Sequence, residues 1–189
     1  MKVKRFIYLF GILLIGIFFS LPAERSESLG RVEPKPGSKP PVITHSFAVE
    51  KGYYGYIWKL YIEAEDPDSD MHKIVAIAHQ PGYGNYTNIL PIVLKPQFRH
   101  HVKGYIQWNS LSSKASYIQE WTQVTLKISI VDKAGYESNE VIFPITFESG
   151  VKSQYKLPAP FDQGEMPRLG YLDLDLVNPF DGPNDIRDH

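Results

Sequence analysis

Apolar and polar residues alternate in short runs between positions 42 and 148, and residues that favour turns separate the runs. In the clearest run, 54–65, the apolar residues Trp58, Leu60, Ile62 and Ala64 fall on one face. A period of two predicts β-strands, because successive side chains of a strand point to opposite faces. The pattern predicts seven strands, at residues 42–50, 54–65, 73–79, 88–94, 102–108, 122–131 and 140–148.

These strands predict an all-β fold. They fill about 107 residues, and the one helical candidate is a turn or two within 112–120, which excludes parallel α/β folds. Strands with one polar face are typical of antiparallel sheets. We therefore expect a seven-stranded antiparallel immunoglobulin-like sandwich over residues 42–148, with Trp58 and Trp108 as core anchors.

The first segment has the residue order of a secretory signal. Basic Lys2, Lys4 and Arg5 precede an apolar run, 6–21, and a small residue, Ala23, follows it. The run is shorter than the roughly 20 residues of a membrane-spanning helix. Residues 1–23 therefore predict a cleaved signal peptide or an N-terminal anchor helix. In both cases the chain is exported to the periplasm or the extracellular space, and the membrane is contacted only if residues 6–21 are retained.

Two further segments flank the predicted domain. Residues 24–41 end in a Pro- and Lys-rich stretch, which predicts an extended linker. Residues 149–189 are acidic and rich in Pro and Asp, which predicts a flexible tail. Alternation within 170–177 leaves a second interpretation, in which the tail docks on a partner's sheet edge. The docking residues would then be Leu172, Leu174 and Leu176.

The composition of the chain excludes cysteine chemistry and gives no support to nucleic-acid binding. The chain has no cysteine, which excludes disulfides, thiolate metal sites and a cysteine nucleophile. Its net charge is −1, and without residues 1–23 it has 17 basic and 21 acidic residues, a net charge of −4. A mildly acidic chain gives no electrostatic reason to expect nucleic acid as a partner.

Two loops carry a family resemblance. Residues 63–70, Glu-Ala-Glu-Asp-Pro-Asp-Ser-Asp, resemble the A-x-DPDGD turn of bacterial extracellular immunoglobulin-like, PKD-like and cadherin-like modules. Residues 131–139 resemble the V-x-D-x-AGN-x-S hairpin that ends many of them. The chain departs from these motifs at Ser69 and Tyr136 and contains a single copy. The resemblance implies an extracytoplasmic β-sandwich module.

In an immunoglobulin topology, these two loops lie at the same end of the sandwich, which we call the acidic pole. Its candidate metal ligands are Glu65, Asp66, Asp68, Asp70 and Asp132. Oxygen-rich clusters suit Ca²⁺, and acidic loops at this pole bind calcium in cadherin-like relatives. The alternative is that the aspartates only shape the turns, with Pro67 fixing the backbone. Calcium is the only cofactor that the sequence suggests.

The opposite end is rich in aromatic residues, and we call it the aromatic pole. Its candidate ligand-binding residues are Tyr53, Tyr54, Tyr83 and Tyr86, and the loop at 110–121 adds Tyr117 and Trp121. Tyrosine is stiff, amphipathic and common at recognition surfaces. The rings could therefore bind a protein or stack on a sugar; the alternative is that they pack over the end of the sandwich.

Catalytic motifs are missing from the sequence. It contains no Gly-x-Ser-x-Gly elbow, phosphate loop, dinucleotide fingerprint or His-Glu-x-x-His motif. We therefore predict a non-catalytic exported binding or structural module of the cell envelope. Its partner would be an unidentified envelope protein, bound by protein–protein interaction, or a glycan, in which case the chain is a carbohydrate-binding module.

Overall fold

A computed structural model describes residues 36–88, 90–150 and 155–178. The predicted signal or anchor at 1–23 and most of the linker lie outside these residues. In the described ranges, no helix is long and apolar enough to cross a membrane. The strands there are β1 (Val42–Phe47), β2 (Lys51–Gly52), β3 (Ile57–Glu65), β4 (Met71–Gln80), β5 (Gly84–Thr87), β6 (Ile92–Val93), β7 (His101–Asn109), β8 (Gln123–Asp132), β9 (Val141–Phe147) and β10 (Arg168–Leu172).

The strands form two sheets, which confirms the predicted all-β sandwich. One sheet has the order β1-β3-β7-β10, and the other β2-β9-β8-β4-β5, with β6 also paired to β4. Most neighbours are antiparallel, but β10 runs parallel to β7 and β2 runs parallel to β9. The prediction of seven strands, all antiparallel, is therefore wrong in these details.

The extra strands have local causes. The predicted strand 42–50 ends early, at Phe47 in β1, and the short strand β2 follows at Lys51–Gly52, where the chain has passed from the first sheet to the second. The predicted strand 88–94 is reduced to Ile92–Val93, and β5 comes before it. Pro91 precedes β6 and has no N–H to donate to a sheet. The helical turn predicted within 112–120 is absent, and these residues form a loop.

The core confirms the prediction for the two tryptophans. Trp58 and Trp108 are fully buried, and their rings stack with centroids 5.1 Å apart. Phe147 packs edge-on against both rings. Gly52 lies against this cluster, and only glycine fits at that position, because a Cβ atom there would lie 2.5 Å from the Trp58 ring. The core aromatic cluster thus holds β2 and β9 over β3 and β7.

The expectation of a flexible tail does not fit residues 155–178. Strand β10 extends the first sheet beside β7, at the position that strand D occupies in an immunoglobulin sandwich. Leu172, Leu174 and Leu176 are buried in the core of their own chain, so their predicted docking on a partner is wrong. The alternation in 170–177 indicates a strand-like segment, but it contains no information about which surface that segment covers.

The contacts of the C-terminal segment are closely fitted. Phe161 is buried and covers Tyr61 on the outer face of the first sheet, with centroids 5.6 Å apart. A Cβ atom at Gly104 of β7 would lie 2.5 Å from the Pro167 carbonyl oxygen. Near the C-terminal end of this segment, the Asp175 carboxylate accepts hydrogen bonds from Ser113 N at 2.9 Å and Ser113 Oγ at 2.7 Å. These hydrogen bonds, that of the Oγ first, lower the pKa of Asp175.

Candidate functional site

The acidic pole is built around Asp66, which is fully buried between β3 and β4. Its Oδ1 accepts a hydrogen bond from Asp68 N at 2.9 Å, and its Oδ2 accepts one from Asp70 N at 3.1 Å. The turn therefore occupies both oxygens of this carboxylate. An aspartate that accepts hydrogen bonds from the backbone just after it stabilises a turn, so Asp66 has a structural role.

Asp70 and Asp132 lie close together at this pole. Burial raises the pKa of Asp70, and the hydrogen bond with Asp66 and the charge of Asp132 raise it further. Asp132 is buried, and its Oδ1 accepts a hydrogen bond from Tyr136 N at 2.8 Å. Asp70 Oδ1 and Asp132 Oδ2 are buried without a hydrogen-bond partner among the described residues. The pair is thus electrostatically unfavourable while both carboxylates are charged.

The candidate metal ligands only partly converge. Asp66, Asp132 and Asp68 all contribute to the raised pKa of Asp70. Glu65, in contrast, is exposed at the end of β3, where it pairs across strands with Val42 and His101. Within the described part of the chain, no group of three or more His, Asp or Glu side chains is placed to hold a metal ion. Calcium binding is untested, and of the two interpretations of the acidic pole the geometry of these carboxylates favours the structural one.

At the aromatic pole, the four candidate tyrosines separate into two pairs. Tyr53 and Tyr83 are exposed, with 45% and 38% of their surfaces accessible. The Tyr54 hydroxyl donates a hydrogen bond to Ala115 O at 2.7 Å and accepts one from Ser112 N at 3.2 Å. Tyr86 packs against the core, and burial raises its pKa. Tyr54 and Tyr86 thus support the loops, while Tyr53 and Tyr83 present their rings to solvent.

A cleft of about 310 Å³ lies beside Tyr53. It forms where the turn after β2, the loop before β8 and the end of β9 meet. Its lining comprises Tyr53, Tyr54, Ile118, Glu120, Phe147, Glu148, Ser149 and Gly150. The sequence carries no signal for Glu120 or Glu148, because the two belong to no motif and lie 28 positions apart in the chain.

Backbone hydrogen bonds fix the walls of this cleft. Phe147 O accepts from Trp121 N at 2.7 Å, and Phe147 N donates to Thr122 O at 2.9 Å. Glu148 N donates to Gly52 O at 2.6 Å. Trp121 has a φ of 67° and is 65% exposed. A left-handed backbone is unfavourable for so large a residue and persists only where the surroundings enforce it, so the backbone of the loop is constrained at Trp121.

Acidic groups outnumber basic ones among the described residues around the cleft. Glu148 forms an ion pair with Lys51, with Oε2 and Nζ 2.7 Å apart. Glu120 Oε1 accepts a hydrogen bond from Ser149 N at 3.2 Å. Among the described residues, the cleft thus has two carboxylates and one ammonium group, which is a net negative charge.

Comparisons with known proteins yield one structural likeness. No family model and no curated protein matches the chain. A solved structure, the PKD domain of an M14-like peptidase from Thermoplasmatales archaeon SCGC AB-540-F20, matches with 13% identity and a TM-score of 0.38. The match covers 59% of this chain and 99% of that one. The assignment of an immunoglobulin-like sandwich therefore rests on the strand order of the two sheets themselves.

Proposed function

We propose that this chain is a non-catalytic, exported module of the cell envelope that binds a protein partner through its aromatic pole. The observation that carries this proposal is the exposure of four aromatic side chains in the loops at one end of the sandwich. They are Tyr53, Tyr83, Tyr117 and Trp121, which are 45%, 38%, 53% and 65% exposed. The sequence of residues 1–23, ordered as a secretory signal, supports export.

The composition of the pole suits a protein interface. Tyr and Trp are enriched among the residues that contribute most to protein binding, because they bury a large area and have few rotatable bonds. Leu111, in the same group of loops, is 55% exposed and extends the apolar surface. The hydrogen bonds of the Tyr54 hydroxyl with Ala115 and Ser112 join two of these loops, and such contacts reduce the entropic cost of ordering the surface on binding.

Affinity capture from an envelope extract tests this proposal. The bait is the full chain, compared with Trp121→Ala and Tyr83→Ala variants and with Tyr171→Ala as the matched control. Tyr171 is 54% exposed but lies in β10, at the sheet edge. We expect the two pole variants to lose a protein that the wild type and the control retain.

Equal capture by all four baits would refute the proposal. The tyrosines also suit the carbohydrate alternative, since exposed rings can stack on sugar faces. If the wild type captures no protein but binds selected sugars on a glycan array, the carbohydrate alternative is favoured.

A further inference from the structure

We propose that the cleft beside Tyr53 binds a basic side chain, arginine or lysine, of the partner protein. This inference rests on the proposed function and deepens it, because it assigns one pocket of the aromatic pole to one chemical group. The cleft is defined by Tyr53, Glu120, Phe147 and Glu148, among the other residues of its lining.

The hydrogen-bonding groups of the lining favour a cation. Its two carboxylates only accept hydrogen bonds when ionised. Glu120 accepts from Ser149 N through one oxygen, and a carboxylate has about four lone-pair sites. The Tyr54 hydroxyl is already committed to Ala115 and Ser112. A guanidinium group offers five donors and no acceptor, so it matches a cleft rich in acceptors better than a sugar hydroxyl, which needs both.

The charge of the described lining residues also favours a cation. Lys51 neutralises Glu148 through the 2.7 Å ion pair, whereas the charge of Glu120 has no cationic partner in the salt bridges of the described residues. A basic side chain would compensate this remaining charge. Hydrogen bonds from a guanidinium or ammonium group to a carboxylate are stronger than neutral ones.

The Tyr53 ring forms an aromatic wall of the cleft that suits a cation as well. Tyr53 packs edge-to-face against buried Tyr56, with centroids 5.4 Å apart and an interplanar angle of 74°. This contact holds the ring in place while 45% of the residue stays exposed. A cation over a tyrosine face gains roughly 0.5–1 kcal/mol at an exposed site. Ring and carboxylates together therefore favour a flat cation.

The backbone arrangement makes the cleft a preformed site. Phe147 N and O both bond to the segment before β8, at Thr122 O and Trp121 N, and Glu148 N is bonded to Gly52 O. The two glutamates are thus attached to a hydrogen-bonded frame, in the loop before β8 and directly after β9. A basic side chain could enter without the loops first having to order.

The test is an NMR titration of the ¹⁵N-labelled protein with the peptide acetyl-Gly-Arg-Gly-amide. The comparison peptide contains citrulline, which has nearly the same shape as arginine but no charge. We expect the arginine peptide to shift the amides of Ser149 and Gly150, which line the cleft. The citrulline peptide should bind about tenfold more weakly, the equivalent of 1.4 kcal/mol.

Two variants localise the effect. Glu120→Gln should weaken arginine binding by about tenfold, because it removes the uncompensated charge. Glu140→Gln is the matched control. Glu140 is also exposed, but it is not part of the cleft lining, and its Oε2 lies 3.3 Å from Lys127 Nζ in an ion pair. Equal binding of both peptides, or unchanged binding by Glu120→Gln, would overturn the proposal. Shifts of the same amides by maltohexaose but not by the arginine peptide would also overturn it.

The outcomes separate this inference from the proposed function. If Trp121→Ala and Tyr83→Ala abolish partner capture while the arginine peptide does not bind, the inference fails and the function stands. If the peptide binds in the cleft while those two variants capture the partner normally, the proposed function fails and the cation-binding chemistry of the cleft stands.

Discussion

The Leu176→Ala variant tests whether the C-terminal segment is an integral part of the sandwich. Leu176 is fully buried in the hydrophobic core. Burying a leucine side chain contributes about 1.5–3 kcal/mol, and the cavity left by the substitution adds to this loss. Buried Leu→Ala substitutions cost about 2–5 kcal/mol in total, so we expect a loss of about 3 kcal/mol. For a domain of this size, that is a fall in Tm of roughly 6–12 °C.

Urea denaturation followed by tryptophan fluorescence measures this loss. The matched control is Leu90→Ala, because Leu90 is 74% exposed. A substitution at such a surface position should change stability by no more than about 0.5 kcal/mol. If Leu176→Ala costs no more than the control, the C-terminal segment does not contribute to the core, and its assignment as an integral part of the sandwich is refuted.

Three further predictions concern the sheet edge and the acidic pole. Gly104→Ala should destabilise the fold by about 1–3 kcal/mol, because its Cβ atom would collide with the Pro167 carbonyl; an unchanged urea midpoint would contradict this close approach. The pKa of Asp70 is raised in the folded protein, so this carboxyl stabilises the fold at pH below about 3.8 and loses that contribution as the pH rises through the folded pKa. Asp70→Asn should therefore raise Tm, measured by calorimetry, relative to the wild type at pH 7 but not at pH 3. An equal change in Tm at both pH values would contradict the raised pKa of Asp70. Added Ca²⁺ should shift Tm by less than about 1 °C relative to chelator, whereas a rise of several degrees would indicate a bound ion.

Alternation predicted the central strands well. The observed β3, β7, β8 and β9 lie within a few residues of their predicted positions, because each has a buried and a more exposed face. The position of β10 could not be predicted in the same way. Alternation identifies a strand but not its neighbour, and the neighbour here is an edge of β7 far away in the sequence.

The candidate site was predictable in position but not in detail. The loop connections of an immunoglobulin sandwich predicted that the acidic loops meet, and Asp70 and Asp132 do interact. The sequence could not show that both oxygens of Asp66 cap its own turn, since this depends on the backbone angles. Likewise, it could not show that Glu120 and Glu148 share a cleft, because only tertiary packing brings them together.

Site-specific photo-crosslinking tests the central claim, that the aromatic pole recognises a protein, most directly. A benzoylphenylalanine would replace Trp121 at the pole or Tyr171 at the β10 edge, both of which are exposed. The chain would be irradiated in the intact envelope, and adducts would be identified by mass spectrometry. We predict one discrete protein adduct from position 121 and none of the same mass from position 171. The same adduct from both positions, or none from position 121, would contradict the claim.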